Sequence, residues 1–147
     1  MAKQTDVKGS ILIVLVSAGL LLFVQCEGDN WQDPIPYVVV DTVINLNNQQ
    51  YRDLRLDGGH VSILGGYRGI IIYRVNATTY RAFEAASPHR VDEACAEVFV
   101  DPSGLFLREG CDQSIYDFQG NPSGGVAQFP LRRYNTQLES NLLYIFN

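Results

Sequence analysis

Few side chains in this 147-residue sequence are equipped for chemistry: three cysteines, at positions 26, 95 and 111, and two histidines, at 60 and 89. Thiolates and imidazoles are the soft and borderline ligands of redox metals, so a cysteine–histidine set is the first constellation to seek. An odd number of cysteines leaves one free or modified while the other two can pair. Ser87 and His89 place a hydroxyl two residues from a base, but nothing in the sequence shows that an orienting acid or oxyanion site meets them, and no enzyme is expected. His60 follows Gly59 and reads as an exposed or capping histidine of a turn. Eleven basic residues stand against sixteen acidic ones, a net charge of −5, with no cluster of Lys or Arg. Nucleic acid is therefore excluded as an expected partner.

The elements that must position these residues begin with the N-terminus. Lys3 and Lys8 precede an apolar run over residues 11–24, interrupted by Ser17 and Gly19 and ending just before Cys26. This is the pattern of a signal peptide, and it falls short of the roughly 20 apolar residues of a spanning helix. Phe23-Val24-Gln25-Cys26 resembles a bacterial lipobox, with Phe23 and Gln25 where Leu and a small residue are usual, a relaxation found in Bacteroidetes-type lipoproteins. Lipidation of Cys26 is expected, with a signal peptide over 1–25 and a tether over 26–36 broken by Pro34 and Pro36. An uncleaved anchor and a soluble secreted form are the other readings of this segment. Loss of residues 1–25 leaves nine basic and fifteen acidic residues, a charge of −6, and no lysine. Attachment to the membrane would then rest on the acyl chains. The expected location is the bacterial cell envelope, lipid-anchored at the outer membrane, where disulfides persist.

From residue 37 to 147, β-branched or alternating runs recur between turn residues: 38–46, 60–64, 69–75, 79–85, 97–101, 105–109, 131–135 and 142–146. Asp101-Pro102-Ser103-Gly104 suits the turn of a hairpin over 97–109, and Asn76-Ala77-Thr78 reads as another turn before it reads as a glycosylation sequon. Asn121 to Gly125 reads as a flexible loop, and no helical period is evident. The expected fold class is all-β, an antiparallel sandwich or small barrel.

The order of these segments resembles the Rieske iron–sulfur domain family over nearly the whole mature chain. Ser114-Ile115-Tyr116-Asp117 is similar to the family's Ser-x-Phe-Asp after the second ligand loop, and Gly125-Val126-Ala127-Gln128-Phe129-Pro130-Leu131-Arg132-Arg133-Tyr134 is similar to its Gly-Pro-Ala-x-x-Pro-Leu-x-x-Tyr. Gly65 to Tyr73 and Arg81-Ala82-Phe83 stand where the family places the strands leading into the first ligand loop. The resemblance implies two ligand pairs, Cys-x-His and Cys-x-x-His, holding a two-iron, two-sulfur cluster. Here the first loop reads Ser87-Pro88-His89, and the register anchored on Ser114 puts Glu109 and Asp112 at the second cysteine and histidine. A second register, with Cys111 as ligand and Ser114 at the histidine, breaks the downstream match. At most two ligands survive, so neither a cluster nor any other cofactor is expected.

In that family's cytochrome bc members, the cysteine before the second histidine is bonded to one in the first loop. The resemblance thus implies a Cys95–Cys111 disulfide. Should the loops keep their geometry, His89, Glu109 and Asp112 would converge, and one imidazole with two carboxylates can hold a divalent ion. The plainer expectation is a solvated histidine, two surface acids and no metal. Asp41-Thr42-Val43 resembles the O-glycosylation acceptor of exported Bacteroidetes proteins, which makes Thr42 a candidate for modification. The expectation for the whole is a non-catalytic binding or accessory protein of an envelope complex. The alternative is a Rieske-type electron-transfer protein.

Overall fold

The computed structural model describes residues 33–147. The predicted signal peptide, Cys26 and residues 26–32 of the tether lie outside the described residues. The compact unit runs from Asp33 to Asn147, so residues 33–36 belong with the domain. Ile35 is buried, Asp33 pairs with the Arg132 guanidinium at 2.6 Å, and Arg132 also donates to the carbonyls of Pro36, at 2.8 Å, and Ile35.

Ten strands form two sheets, and every pairing is antiparallel, as the alternation of the sequence predicts. The larger sheet has the order β1 (Asp41–Asn45), β10 (Leu142–Phe146), β9 (Arg133–Glu139), β4 (Thr79–Glu84), β3 (Ile70–Asn76), β2 (His60–Ile63). The smaller runs β5 (Val98–Val100), β6 (Leu107–Glu109), β7 (Ile115–Tyr116), β8 (Pro122–Gly124). His60 opens β2 and is exposed. A 3-10 helix, Gln49–Arg55, precedes β2. It was not anticipated because it carries no apolar period; one buried side chain, Leu54, anchors it, and Arg55 donates to the carbonyls of Leu46 and Asn47. β7 and β8 were also unanticipated. At two and three residues they are too short to show an alternation, and β8 occupies the stretch expected to be a flexible loop.

The consecutive isoleucines of β3 have a tertiary cause. Ile70 and Ile72 pack with Val40, Ile44, Leu54, Tyr80, Ala82, Leu143 and Ile145 on one face. Ile71 points the other way, onto Phe83, Val98, Leu107, Tyr116 and Leu131. The sheet is therefore covered on both faces at β3 and β4, where a strand reads as a continuous apolar run. Both expected turns form. Gly104 donates its N–H to the Asp101 carbonyl at 2.7 Å, and the Asn76 side chain accepts from the backbone and hydroxyl of Thr78.

Candidate functional site

Two loops meet, one crossing from the larger sheet to the smaller and one within the smaller. The first runs over residues 85–97 between β4 and β5, closed at its base by the Ala86–Glu97 bridge. The second runs over residues 110–114 between β6 and β7, where the Glu109 N–H donates to the Ser114 carbonyl at 2.9 Å. Gly110 donates its N–H to the carbonyl of Glu97, and a side chain there would sit 2.5 Å from the Cys95 carbonyl oxygen. This close approach is open only to glycine, and it brings Cys95 and Cys111 together as a disulfide, with Cα atoms 5.0 Å apart. The pairing implied by the resemblance is present.

The residues that carry the resemblance brace these loops. The fully buried Ser114 donates its N–H to Asp112 Oδ1 and accepts from the N–H groups of Val126 and Ala127. Gly125, at φ +87°, leaves no room for a side chain against Ser114. Tyr116 is fully buried, and its hydroxyl lies 3.5 Å from Ser87 Oγ. Arg68, ahead of β3, donates to the carbonyls of Val91 and Ala94 and pins the first loop from outside.

Ser87, His89, Glu109 and Asp112, the positions that the sequence resemblance aligns with ligands, lie in these two loops and bond within them. Ser87 is fully buried, and its Oγ accepts the His89 N–H at 3.3 Å. His89 Nε2 lies 3.4 Å from Asp112 Oδ2, and Arg90 Nε lies 3.5 Å from the same oxygen. Glu109 overturns the expectation of a surface acid. Its side chain is fully buried, with Oε2 accepting from the N–H groups of Cys111 and Asp112 at 2.9 and 2.8 Å. The period of β6 carried the signal: Leu107 is buried, and the strand alternation puts Glu109 on the same face.

Burial pushes the Glu109 carboxyl above its ordinary value, and its hydrogen bond and charge interaction with Asp112 add to the rise. Burial also pulls Asp112 upward, but hydrogen bonds from Ser114 and Glu109 and the charge of His89 outweigh it and hold Asp112 low. Burial raises the Tyr116 phenol as well.

These donors do not fit an iron–sulfur cluster of the type the resemblance implies. The four positions offer one imidazole, one inward hydroxyl and two carboxylates, and the nearby sulfurs are bonded to each other. Nor do His89, Glu109 and Asp112 form a three-ligand group: Asp112 touches each of the others, but Arg90 already supplies a cation beside it. Among the described residues, the one such group is Glu93, Cys95 and Cys111, whose sulfurs are spent in the disulfide. Thr42 is half-buried in β1, lining a cleft between β1 and β2.

A second buried carboxylate escaped the sequence reading. Glu84, at the end of β4, is fully buried and accepts from Tyr67 N, Arg68 N, Ala86 N and the Tyr134 hydroxyl. The same signal was available, since β4 buries Tyr80 and Ala82 at the alternate positions before it.

No family model and no curated protein matches this chain. Among solved structures it is similar to the ferredoxin of carbazole 1,9a-dioxygenase from Nocardioides aromaticivorans IC177. Identity is 15%, the TM-score is 0.48, and the match covers 74% of this chain and 97% of that one.

Proposed function

We propose that this protein is a non-catalytic, lipid-anchored envelope protein whose Rieske-like domain has exchanged its cluster for an internally bonded tip, and that it binds a protein partner through that tip. The observation that carries the reading is the fate of the ligand positions. Ser87, His89, Glu109 and Asp112 are turned toward one another and toward backbone donors, with no thiolate among them. A disulfide joins the loops that a cluster would otherwise bridge. Such a surface presents no thiolate and suits recognition rather than turnover. Lipidation at Cys26 and placement at the outer membrane rest on the sequence pattern alone.

The test has two arms. Reconstitution with iron and sulfide, followed by visible absorbance and electron paramagnetic resonance of the reduced sample, is expected to give a colourless, silent protein; a two-iron, two-sulfur signal would establish the electron-transfer alternative instead. Affinity purification from native membranes through a C-terminal tag is expected to recover a partner. An Arg90→Glu change at the tip should release it, whereas a change at Ala77, in the turn at the other end of β4, should not. Equal loss or equal retention in both variants would remove the tip from the docking surface.

A further inference from the structure

We propose that Glu109 and Asp112 share a single proton, and that this proton is a pH-sensitive latch holding the second tip loop against the first. Glu109 Oε1 and Asp112 Oδ2 are both buried, and neither makes a hydrogen bond among the described residues; Asp112 Oδ2 has only the ion-pair neighbours His89 Nε2 at 3.4 Å and Arg90 Nε at 3.5 Å. The remaining oxygen of each is satisfied, Glu109 Oε2 by two backbone N–H groups and Asp112 Oδ1 by that of Ser114. An ionised carboxylate only accepts, so two ionised groups here would leave Glu109 Oε1 buried without a donor and set two like charges beside each other. One proton removes both costs at once: the carboxyl that carries it donates to the other. Carboxyl pairs that cannot both ionise behave in this way.

The surroundings decide which partner holds it. Glu109 is the more deeply buried of the two, fully enclosed and bonded only to backbone N–H groups through Oε2. Asp112 faces the cationic side of the first loop, with His89 Nε2 at 3.4 Å and Arg90 Nε at 3.5 Å, while Glu93 draws Arg90 outward at 3.1 Å. The proton therefore rests on Glu109 and the negative charge on Asp112, in the same sense as the displacements described above for the two carboxyls.

Asp112 is also the side chain through which the second loop makes its ionic contacts with the first. When Glu109 loses its proton, repulsion acts on the residue that makes those contacts. Asp112 shifts, His89 and Arg90 are released, and the disulfide remains as the covalent tie between the loops. The latch is closed in acid and opens as pH rises.

The test is a carbon-13 carboxyl titration of the labelled full-length chain in detergent. In the parent, the Glu109 carboxyl is expected to titrate above an ordinary glutamate, in the direction that burial and Asp112 push it. Asp112→Asn, whose amide can donate to an ionised Glu109, should bring that midpoint down by about one unit or more. The protection of the Cys111 and Asp112 amides against hydrogen exchange, relative to the intrinsic rate at each pH, should fall as Glu109 deprotonates and stay constant in Glu109→Gln, whose amide supplies the donor permanently. A parent Glu109 with an ordinary midpoint would overturn the proposal without recourse to any variant. So would a midpoint that ignores the Asp112→Asn change.

Discussion

The hydroxyl of Tyr134, on β9, donates to Glu84 Oε2, on β4, at 2.6 Å in the dry interior of the large sheet. Burial and the neighbouring carboxylate drive the Tyr134 phenol far above its ordinary value, so it remains a neutral donor. Three backbone N–H groups complete the shell of Glu84, two of them from the segment ahead of β3 that carries Arg68. A buried charge is tolerable only when it is bonded in this way. The pair thus connects the core to the residue that pins the first tip loop.

Removing the donor tests that connection. Tyr134→Phe leaves one oxygen of a buried carboxylate short of a partner and should lower stability by about 1–3 kcal/mol. Urea denaturation of the two proteins side by side is the measurement. A difference within error would mean that Glu84 finds another donor.

The disulfide should matter to a similar degree. Cys95 and Cys111 lie 16 residues apart, and closing a loop of that size stabilises by about 3 kcal/mol on the chain-entropy model. Cys111→Ser should therefore lower the unfolding free energy by about that amount, and reductant should do the same to the parent. Peptide mapping under non-reducing conditions should recover the two cysteines in one linked fragment. Recovery of two alkylatable thiols would contradict the bond.

Gly110 sets how closely the loops approach. Alanine at this position would push its methyl group into the Cys95 carbonyl oxygen, a backbone atom that cannot step aside as a side chain can. Gly110→Ala should cost more than about 1 kcal/mol and make the disulfide easier to reduce. Thiol titration in a graded redox buffer reads the second effect. An unchanged reduction midpoint would show that the loops do not depend on this contact.

The pH dependence of stability has two limbs of opposite sign. Glu109 is raised above its ordinary 4.5, so its contribution is complete below that value and is lost as pH climbs through the higher folded one. Asp112 is lowered below its ordinary 3.8, so its contribution is present above that value and is lost as pH falls through the lower folded one. Glu109→Gln should abolish the first limb and keep the second, gaining on the parent as pH rises above the ordinary glutamate value of 4.5. Parallel profiles for the two proteins would contradict the assignment.

Much of the scaffold was legible because it is written in short-range chemistry. The strand from Leu142 to Phe146 was expected over those same residues, and the Asp101 and Asn76 turns follow from side chains that bond within their own turn. Elements without such a code went unseen: the Gln49–Arg55 helix is held by one buried leucine and by arginine bonds to distant carbonyls, and β7 and β8 are ordered by their neighbours. The acids were misjudged for a related reason. Glutamate is mostly exposed, and the alternation that places Glu84 and Glu109 inward carries weight only once donors are known to await them.

The sequence alone thus determined the all-β antiparallel class, the two loops that hold the candidate site, and the absence of a full ligand set at Ser87, His89, Glu109 and Asp112, because strand period, turn chemistry and residue identity are local properties. Tertiary structure decided what those residues do instead. Whether a carboxyl is a surface acid or a buried proton carrier depends on which groups the fold brings within 3–4 Å of it. That proximity joins the loop that crosses from the larger sheet to the smaller one with a hairpin loop of the smaller sheet, and it exists only after both sheets have packed.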